Sequence, residues 1–287
     1  MDTGAKSETG NRLSSSAGLT DINEAERNTV AGESRPNAAL IHEVIRAEGE
    51  SELERTWWAL ILSGFAAGLS MGLSLMVEGV LRSHLADAPW RDLVSKFGYT
   101  IGFLVVVLGR QQLFTENTVT PILPLLYNRD AKTLGRVARL WALVLTANVA
   151  ATWLFAAALA YTAVFEPHVK AAFSEIARHA IGSEFSTTLL KGVFAGWLIA
   201  LMVWLLPGAD GMRPVVIIII TYVVAIASLS HVVAGSVDAA YLVWTGAAST
   251  MDYLWRFFLP TALGNAIGGV TLVAMLNYGQ VAPEIEG

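Results

Sequence analysis

The sequence contains no cysteine and few charged residues. Of its 287 residues, 15% are Asp, Glu, Lys or Arg, whereas a soluble domain has about 25%. The absence of cysteine excludes disulfides, thiolate nucleophiles and cysteine-ligated metals. The basic residues form no basic face, so nothing indicates nucleic-acid binding. The N-terminal residues lack the charged-then-apolar pattern of a signal peptide, and we expect no cleaved leader.

The charges that are present are unevenly placed along the chain. Residues 1–55 carry 11 of the 24 acidic and 6 of the 19 basic side chains, and their net charge of −5 equals that of the whole chain. The rest is strongly apolar. This pattern predicts a polar acidic cytoplasmic tail at 1–54, a membrane domain at 55–278 and a short cytoplasmic C-terminal tail at 279–287.

One amphipathic helix is predicted inside the N-terminal tail, over residues 38–54. Its apolar face is expected to consist of Leu40, Ile41, Val44 and Ile45. Such a helix either packs on the membrane domain or binds a partner protein. Residues 1–36 are too polar to bury a core, and we expect no ordered structure there.

Six apolar segments are candidates for membrane spans, each of which needs about 20 residues. Four are continuous, 57–80, 139–164, 185–206 and 256–277, and two are interrupted, 97–127 and 214–246. Six spans predict an all-α membrane protein with both termini on one side. The loop 128–139 is rich in Arg and Lys, so that side is expected to be cytoplasmic. We expect a multi-pass protein of a cell membrane, the inner membrane in a bacterium.

The two interruptions, GRQQLFTENT at 109–118 and SLSHVVAGS at 228–236, occupy matching positions. Each lies in the second span of a three-span half. Matching broken helices are typical of inverted repeats whose site is near the bilayer midplane. Two ordinary kinked helices remain the alternative. In the first span, Gly64, Gly68 and Gly72 predict close helix packing.

Three stretches resemble the formate/nitrite transporter family. They are LFT at 113–115, GWLIALMVW at 196–204 and LPTALGNAIGG at 259–269, and span order agrees over about 55–277. The resemblance implies a six-helix, aquaporin-like protomer with its second and fifth helices broken. It implies a ring of five protomers with one pore each, and passage of formate, nitrite, hydrosulfide, acetate or lactate. It implies no enzyme activity, cofactor or metal.

The resemblance also assigns residues to the pore. The central histidine of the family corresponds to His231, accompanied by Thr115 and Asn265. Positions of the apolar constrictions correspond to Leu113, Phe114, Ile199, Tyr99, Phe103 and Val224. Departures from the family pattern at Gly196, at Leu229-Ser230 and at Gly235, with a longer loop at 109–115, indicate a divergent branch.

The expected chemistry centres on His231, the one histidine of five that lies in a membrane segment. A buried polar group at bilayer depth is a functional candidate. His231 is expected to pass a proton to a weak-acid anion, although protonation from bulk water gives the same product. Thr115 is expected to fix the imidazole tautomer, and Asn265 either does the same or holds the broken backbone.

Three further charged residues lie in or near the expected spans. Arg110 and Glu116 are expected to pair across the first interruption. Lys191 either draws anions into a vestibule or is a structural lysine whose ammonium reaches the interface.

These observations lead to a channel for small monovalent anions or their neutral acids. The partners are then small anions or weak acids, protons, the lipid bilayer and other copies of the chain. A proton-coupled carrier of short monocarboxylates is the alternative mechanism. A non-conducting membrane scaffold or sensor acting through the N-terminal tail is the alternative from another functional class.

Overall fold

The computed structural model describes residues 36–285, with side chains as far as 281, and every regular element in that range is helical. Residues from 36 onward form one compact unit. The helices are α1 (Ala38–Glu54), α2 (Trp57–His84), α3 (Arg91–Ser95), α4 (Thr100–Leu108), α5 (Ile122–Asn128), α6 (Ala131–Tyr161), α7 (Pro167–Ile181), α8 (Phe185–Leu205), α9 (Arg213–Ile226), α10 (Ala234–Trp244), α11 (Thr250–Asp252), α12 (Leu259–Gly269) and α13 (Leu276–Ile285). Two π-helical stretches, Tyr253–Phe258 and Val270–Met275, connect the last three. The predicted absence of order at 1–35 concerns residues outside the described range.

Four helical segments in the described range are long and apolar enough to cross a membrane. They are Trp57–His84, Ala131–Tyr161, Phe185–Gly208 and Thr250–Val281. The shortest has 24 residues, which at about 1.5 Å per residue exceeds the ~30 Å hydrocarbon core. These segments overlap the four continuous spans predicted from the sequence. The count of six goes beyond them and stays a prediction.

The other two predicted spans contain shorter helices. α4 ends at Leu108 and α5 begins at Ile122, while α9 ends at Ile226 and α10 begins at Ala234. We call residues 109–121 the first break and residues 227–233 the second break. Each flanking helix has between 7 and 14 residues and is too short to span a bilayer alone.

Both breaks begin with the same backbone turn. Arg110 (φ 51°) and Ser228 (φ 49°) occupy the left-handed region. The N–H of Gln111 reaches back five residues to the carbonyl of Val106, and the N–H of Leu229 does the same to Val224. This is the Schellman ending, which usually has glycine at its left-handed position. Here Arg110 and Ser228 occupy that position, where a side chain makes the left-handed conformation strained.

Small residues allow two pairs of long helices to approach closely. A Cβ added to Gly68 would lie 2.3 Å from the backbone carbonyl oxygen of Asn148, so α2 and α6 approach backbone to backbone. A Cβ added to Gly196 would lie 2.3 Å from the carbonyl oxygen of Asn265, which brings α8 against α12 in the same way. The close packing predicted for the glycines of the first span is therefore present.

α1 spans the residues predicted for it but buries another face. The buried residues are His42, Ile45, Gly49 and Leu53, and of the four expected apolar residues Leu40 and Val44 are half exposed. Gly49 decides the face, because a Cβ there would lie 2.0 Å from the carbonyl oxygen of Thr120. Only this side of α1 can approach the first break. The buried face is rotated from the expected one: Ile41 and Ile45 pack in the core as predicted, whereas Leu40 and Val44 do not. Of the two roles considered for α1, the contacts favour packing on the helical body.

Candidate functional site

The two breaks meet through one buried hydrogen bond. The Thr115 hydroxyl lies 2.7 Å from Nε2 of His231. Both side chains are buried, at 0% and 1% exposure. Thr115 comes from the first break and His231 from the second, so the pair joins the two halves of the chain at the centre of the fold.

The hydrogen bonds of His231 define its protonation state. Its Nδ1 accepts from the backbone N–H of Ala234 at 3.1 Å. Because a backbone N–H can only donate, Nδ1 carries no proton and the proton of the neutral ring is on Nε2. Nε2–H then donates to the Thr115 oxygen. A charged imidazolium would place two donors opposite each other at Nδ1 and lose this hydrogen bond.

The residues expected at the apolar constrictions are buried in the same core as the pair, and one of them contacts it directly. Phe103 packs its ring edge-on to His231, with ring centroids 4.9 Å apart. The ring centroids of Phe103 and Tyr99 are 5.4 Å apart. Leu113, Ile199 and Val224 are fully buried in the same core. We call Phe103, Leu113, Ile199 and Val224 the apolar collar. Phe114, expected with them, is buried at 4% exposure and packs against Trp141.

Two asparagines hold the breaks in place. Asn265 on α12 accepts from the N–H of Val232 at 2.8 Å and donates to the carbonyls of Gly192 and Ser230. It does not contact the His231 ring in these bonds. Of the two roles considered from the sequence, the contacts favour holding the broken backbone.

Asn148 on α6 makes the matching set of contacts in the first half. It accepts from the N–H of Phe114 at 3.0 Å and donates to the carbonyls of Gly64 and Gln112. Sequence reasoning missed this residue. The available signal was an asparagine in the middle of the third apolar span, at the same depth as Asn265 in the sixth.

A large cavity lies beside α1. It has a volume of about 770 Å³ and reaches from Glu48 and Glu52 on α1 to Gln112 and Glu116 in the first break. The Glu52 carboxylate accepts from Thr120 at 2.6 Å and from Gln112 at 3.1 Å. Burial raises the pKa of Glu52 to about 7. We call this space the α1-side cavity.

A smaller chamber lies directly beside His231. It has a volume of about 60 Å³, and its wall includes Tyr99, His231, Glu78, Lys96 and Asp238. Glu78 and Lys96 form an ion pair of 2.7 Å. None of these three charged residues was singled out from the sequence. We call this space the His231 chamber.

The two spaces lie at opposite ends of α4 and α9. The α1-side cavity includes Leu108 at the end of α4 and Arg213 at the start of α9. The His231 chamber includes Tyr99 just before α4 and Ala225 near the end of α9. The Thr115–His231 pair and the apolar collar therefore lie between two polar spaces that approach the centre from opposite sides.

Two expectations about charged residues are wrong or unsupported. Arg110 pairs with Glu48 of α1, and Glu116 leaves a buried carboxylate oxygen without a hydrogen bond among the described residues. The predicted Arg110–Glu116 pair is therefore wrong, because α1 offers Arg110 a nearer acid. Lys191 donates to Ser183 at 3.1 Å and borders neither space, which favours the structural role considered for it.

Comparisons with known proteins agree with this arrangement. A family profile described as formate/nitrite transporter matches residues 39–279. The Inner membrane protein YfdC of Escherichia coli (strain K12) is 41% identical over 244 residues, which are 85% of this chain and 79% of that protein.

Solved structures show the same fold. A pentameric formate channel with formate bound aligns with a TM-score of 0.67 and 18% identity, over 79% of this chain and 98% of that one. An FNT family ion channel aligns with a TM-score of 0.73 and 18% identity, over 84% of this chain and 98% of that one. The protein is a multi-pass membrane protein, and it belongs to the formate/nitrite transporter family.

Proposed function

We propose that the protein is a channel for small monovalent weak acids such as formic or nitrous acid. The observation that carries the proposal is the buried, apolar collar between two polar spaces, with one neutral hydrogen-bonded pair at its centre. An anion stripped of water there faces a large desolvation cost. The protonated acid carries no charge and faces a far smaller one.

The proton travels with the substrate in this proposal. The sequence suggested His231 as a proton relay, but a relay would have to give up the Ala234 bond whenever the ring became charged. A neutral ring instead offers Nε2–H to a passing acid in exchange for Thr115. Formation of the neutral acid in the polar spaces on either side needs no group of the protein.

The membrane arrangement follows the family likeness. We propose that α4 with α5, and α9 with α10, complete the second and fifth of six spans. The α1 side is then cytoplasmic, because Arg129, Lys132, Arg136 and Arg139 lie at the start of α6 next to it. The assembly is a ring of five, as described for one solved structure of the same fold. Large apolar side chains exposed on the long helices, such as Leu62 and Leu154, suit contact with lipid or another copy.

A flux panel in proteoliposomes tests the proposal. Radiolabelled formate, nitrite, acetate and lactate, with a sulfide electrode for hydrosulfide, are compared with protein-free vesicles of the same lipid. At least one weak acid should cross faster with the protein than without it. Equal rates for all five would overturn the channel proposal.

The alternative role through the N-terminal tail is tested separately. Deletion of residues 2–35 leaves α1 and its packing intact, so the channel should keep its flux. Loss of flux with an intact oligomer would favour a function centred on the tail. Uptake that accumulates the acid against its gradient and collapses with a protonophore would favour a proton-coupled carrier.

A further inference from the structure

The His231 chamber has more acidic than basic side chains. Glu78 comes from α2, Lys96 from the turn before α4 and Asp238 from α10, and all three line the same 60 Å³ space. Glu78 is 2% exposed and lies 2.7 Å from the Lys96 ammonium. That pair is internally neutral. The remaining ionisable neighbours are His231, Tyr99 and, on α7, His179.

Asp238 is the unbalanced member of this group. Within residues 36–285 its carboxylate has no hydrogen bond or ion pair, although it interacts electrostatically with both Glu78 and Lys96. Lys96 is already held by Glu78, and no other lysine or arginine in the described range lines the chamber. When Glu78, Lys96 and Asp238 are all ionised, the three side chains together carry one net negative charge. Asp238 lies seven residues after His231 in the chain.

A carboxylate in so small a space discriminates between the two forms of a weak acid. It repels an anion that has lost part of its hydration shell, because like charges a few ångström apart interact strongly away from bulk water. The same carboxylate accepts a hydrogen bond from an acid O–H or S–H. One carboxylate therefore destabilises the bound anion and stabilises the bound neutral acid.

We propose that Asp238 is a selectivity-determining residue, which makes the His231 chamber admit the protonated form of a weak acid and reject permanent anions. The proposal rests on the proposed channel function and adds a site to it. The apolar collar disfavours charge of either sign, whereas Asp238 disfavours negative charge. A strong-acid anion of similar size is therefore rejected before it reaches His231.

The test compares nitrate with formate in the same proteoliposomes. Nitrate is small, planar and monovalent like formate but stays ionised at every working pH. Asp238→Asn removes the charge and retains an oxygen that accepts a hydrogen bond. We expect the nitrate-to-formate flux ratio to rise by about tenfold or more, while formate flux stays within about twofold of the wild type.

Two matched variants accompany it. Asp238→Glu keeps the charge and should keep the wild-type ratio. Asp87→Asn removes the same charge from a side chain that is 98% exposed in the loop before α3, and it should also leave the ratio unchanged. If Asp238→Asn does not assemble, Asp238→Ser carries the same expectation.

The outcomes separate the two claims. An unchanged nitrate-to-formate ratio in the uncharged variants, with formate flux retained, overturns the role of Asp238 and leaves the channel standing. A ratio that rises equally in Asp87→Asn also overturns it, because the effect is then one of surface charge. A wild-type protein that carries no weak acid overturns the channel and the selectivity role together.

Discussion

At the scale of single residues, His231 is held as a hydrogen-bond donor. Its Nδ1 accepts from the N–H of Ala234 and its Nε2–H donates to Thr115, while Phe103 packs edge-on against the ring. Each of these contacts is compatible with a neutral ring. In the proposed channel, the histidine would guide an acid through the apolar collar without exchanging a proton with it.

Replacement of His231 by Asn tests this role. We expect formate flux to fall by about tenfold, because the shorter Asn side chain no longer places its donor beside Thr115, and one hydrogen bond contributes roughly 1 kcal/mol. We expect the dependence of flux on pH to keep its wild-type shape between about pH 5 and 8, the range in which a free imidazole titrates. A profile whose midpoint moves in the variant would show that His231 does relay protons.

The left-handed residues at the breaks allow a prediction about stability. Ser228 (φ 49°) holds a conformation that costs a non-glycine residue about 1 kcal/mol or more. Ser228→Gly should therefore raise the free energy of unfolding by about 1 kcal/mol, visible as a higher thermal midpoint in detergent. Ala227→Gly, one residue earlier, is the control and should lower the midpoint. A lower midpoint for Ser228→Gly would mean that the Ser228 side chain stabilises the break.

At the scale of elements, α1 packs on the helical body with two titratable side chains, His42 and Glu52, that its packing removes from water. Burial lowers the pKa of His42, whose ring nitrogens have no hydrogen bond among the described residues. Burial raises the pKa of Glu52 to about 7. Packing of α1 thus favours a neutral side chain at both positions, and charge on either weakens it.

The sign of the Glu52 effect can be measured. The packed helix holds the Glu52 proton up to about pH 7, while an unpacked helix loses it near 4.5, so packing weakens as pH rises through this window. We expect the local opening of α1, from hydrogen exchange corrected for intrinsic rates, to increase at least about tenfold from pH 5 to 8. Glu52→Gln should abolish that increase, and Glu54→Gln, on the exposed face, should retain it. An increase that survives in Glu52→Gln would exclude Glu52 as its cause.

The sequence pattern predicted where the elements lie better than it predicted which residues they contact. The four continuous spans follow from apolar run length, and the two interruptions follow from the polar residues at 109–118 and 228–236, which are local properties. The buried face of α1 depends on Gly49 meeting a distant carbonyl, which no local pattern shows. The apolar pattern therefore predicted the burial of Ile41 and Ile45 correctly and that of Leu40 and Val44 wrongly.

The candidate site was also predicted only in part from the sequence. The resemblance identified Thr115, His231 and Asn265, which the structure brings to the breaks. It offered no counterpart for Asn148, and none for Asp238, whose significance depends on Glu78 and Lys96 arriving from other elements. A cluster of charged side chains from distant parts of the sequence cannot be predicted until the fold brings them together.

At the scale of the whole molecule, one chain forms both polar spaces and the apolar collar between them. In the proposed channel, each protomer would therefore hold its own pore, and association would not be needed to build it. Assembly is expected instead to bury part of the apolar surface of the long helices.

Native mass spectrometry tests the proposed assembly. We expect a mass of five 30.8 kDa chains from protein released in mild detergent, with a five-step ladder after crosslinking in membranes. A monomer in both experiments would contradict the ring and leave the path through one protomer intact.

The central claim, that the neutral acid crosses, is tested most directly by following the proton. Proteoliposomes that contain a pH dye receive external formate, with and without valinomycin and potassium to set the membrane potential. The account predicts that the protein accelerates acidification of the lumen beyond the rate in protein-free vesicles, to the same extent with and without valinomycin. Formate influx that depends on the potential and leaves the luminal pH unchanged would show that the anion crosses, and would contradict the account.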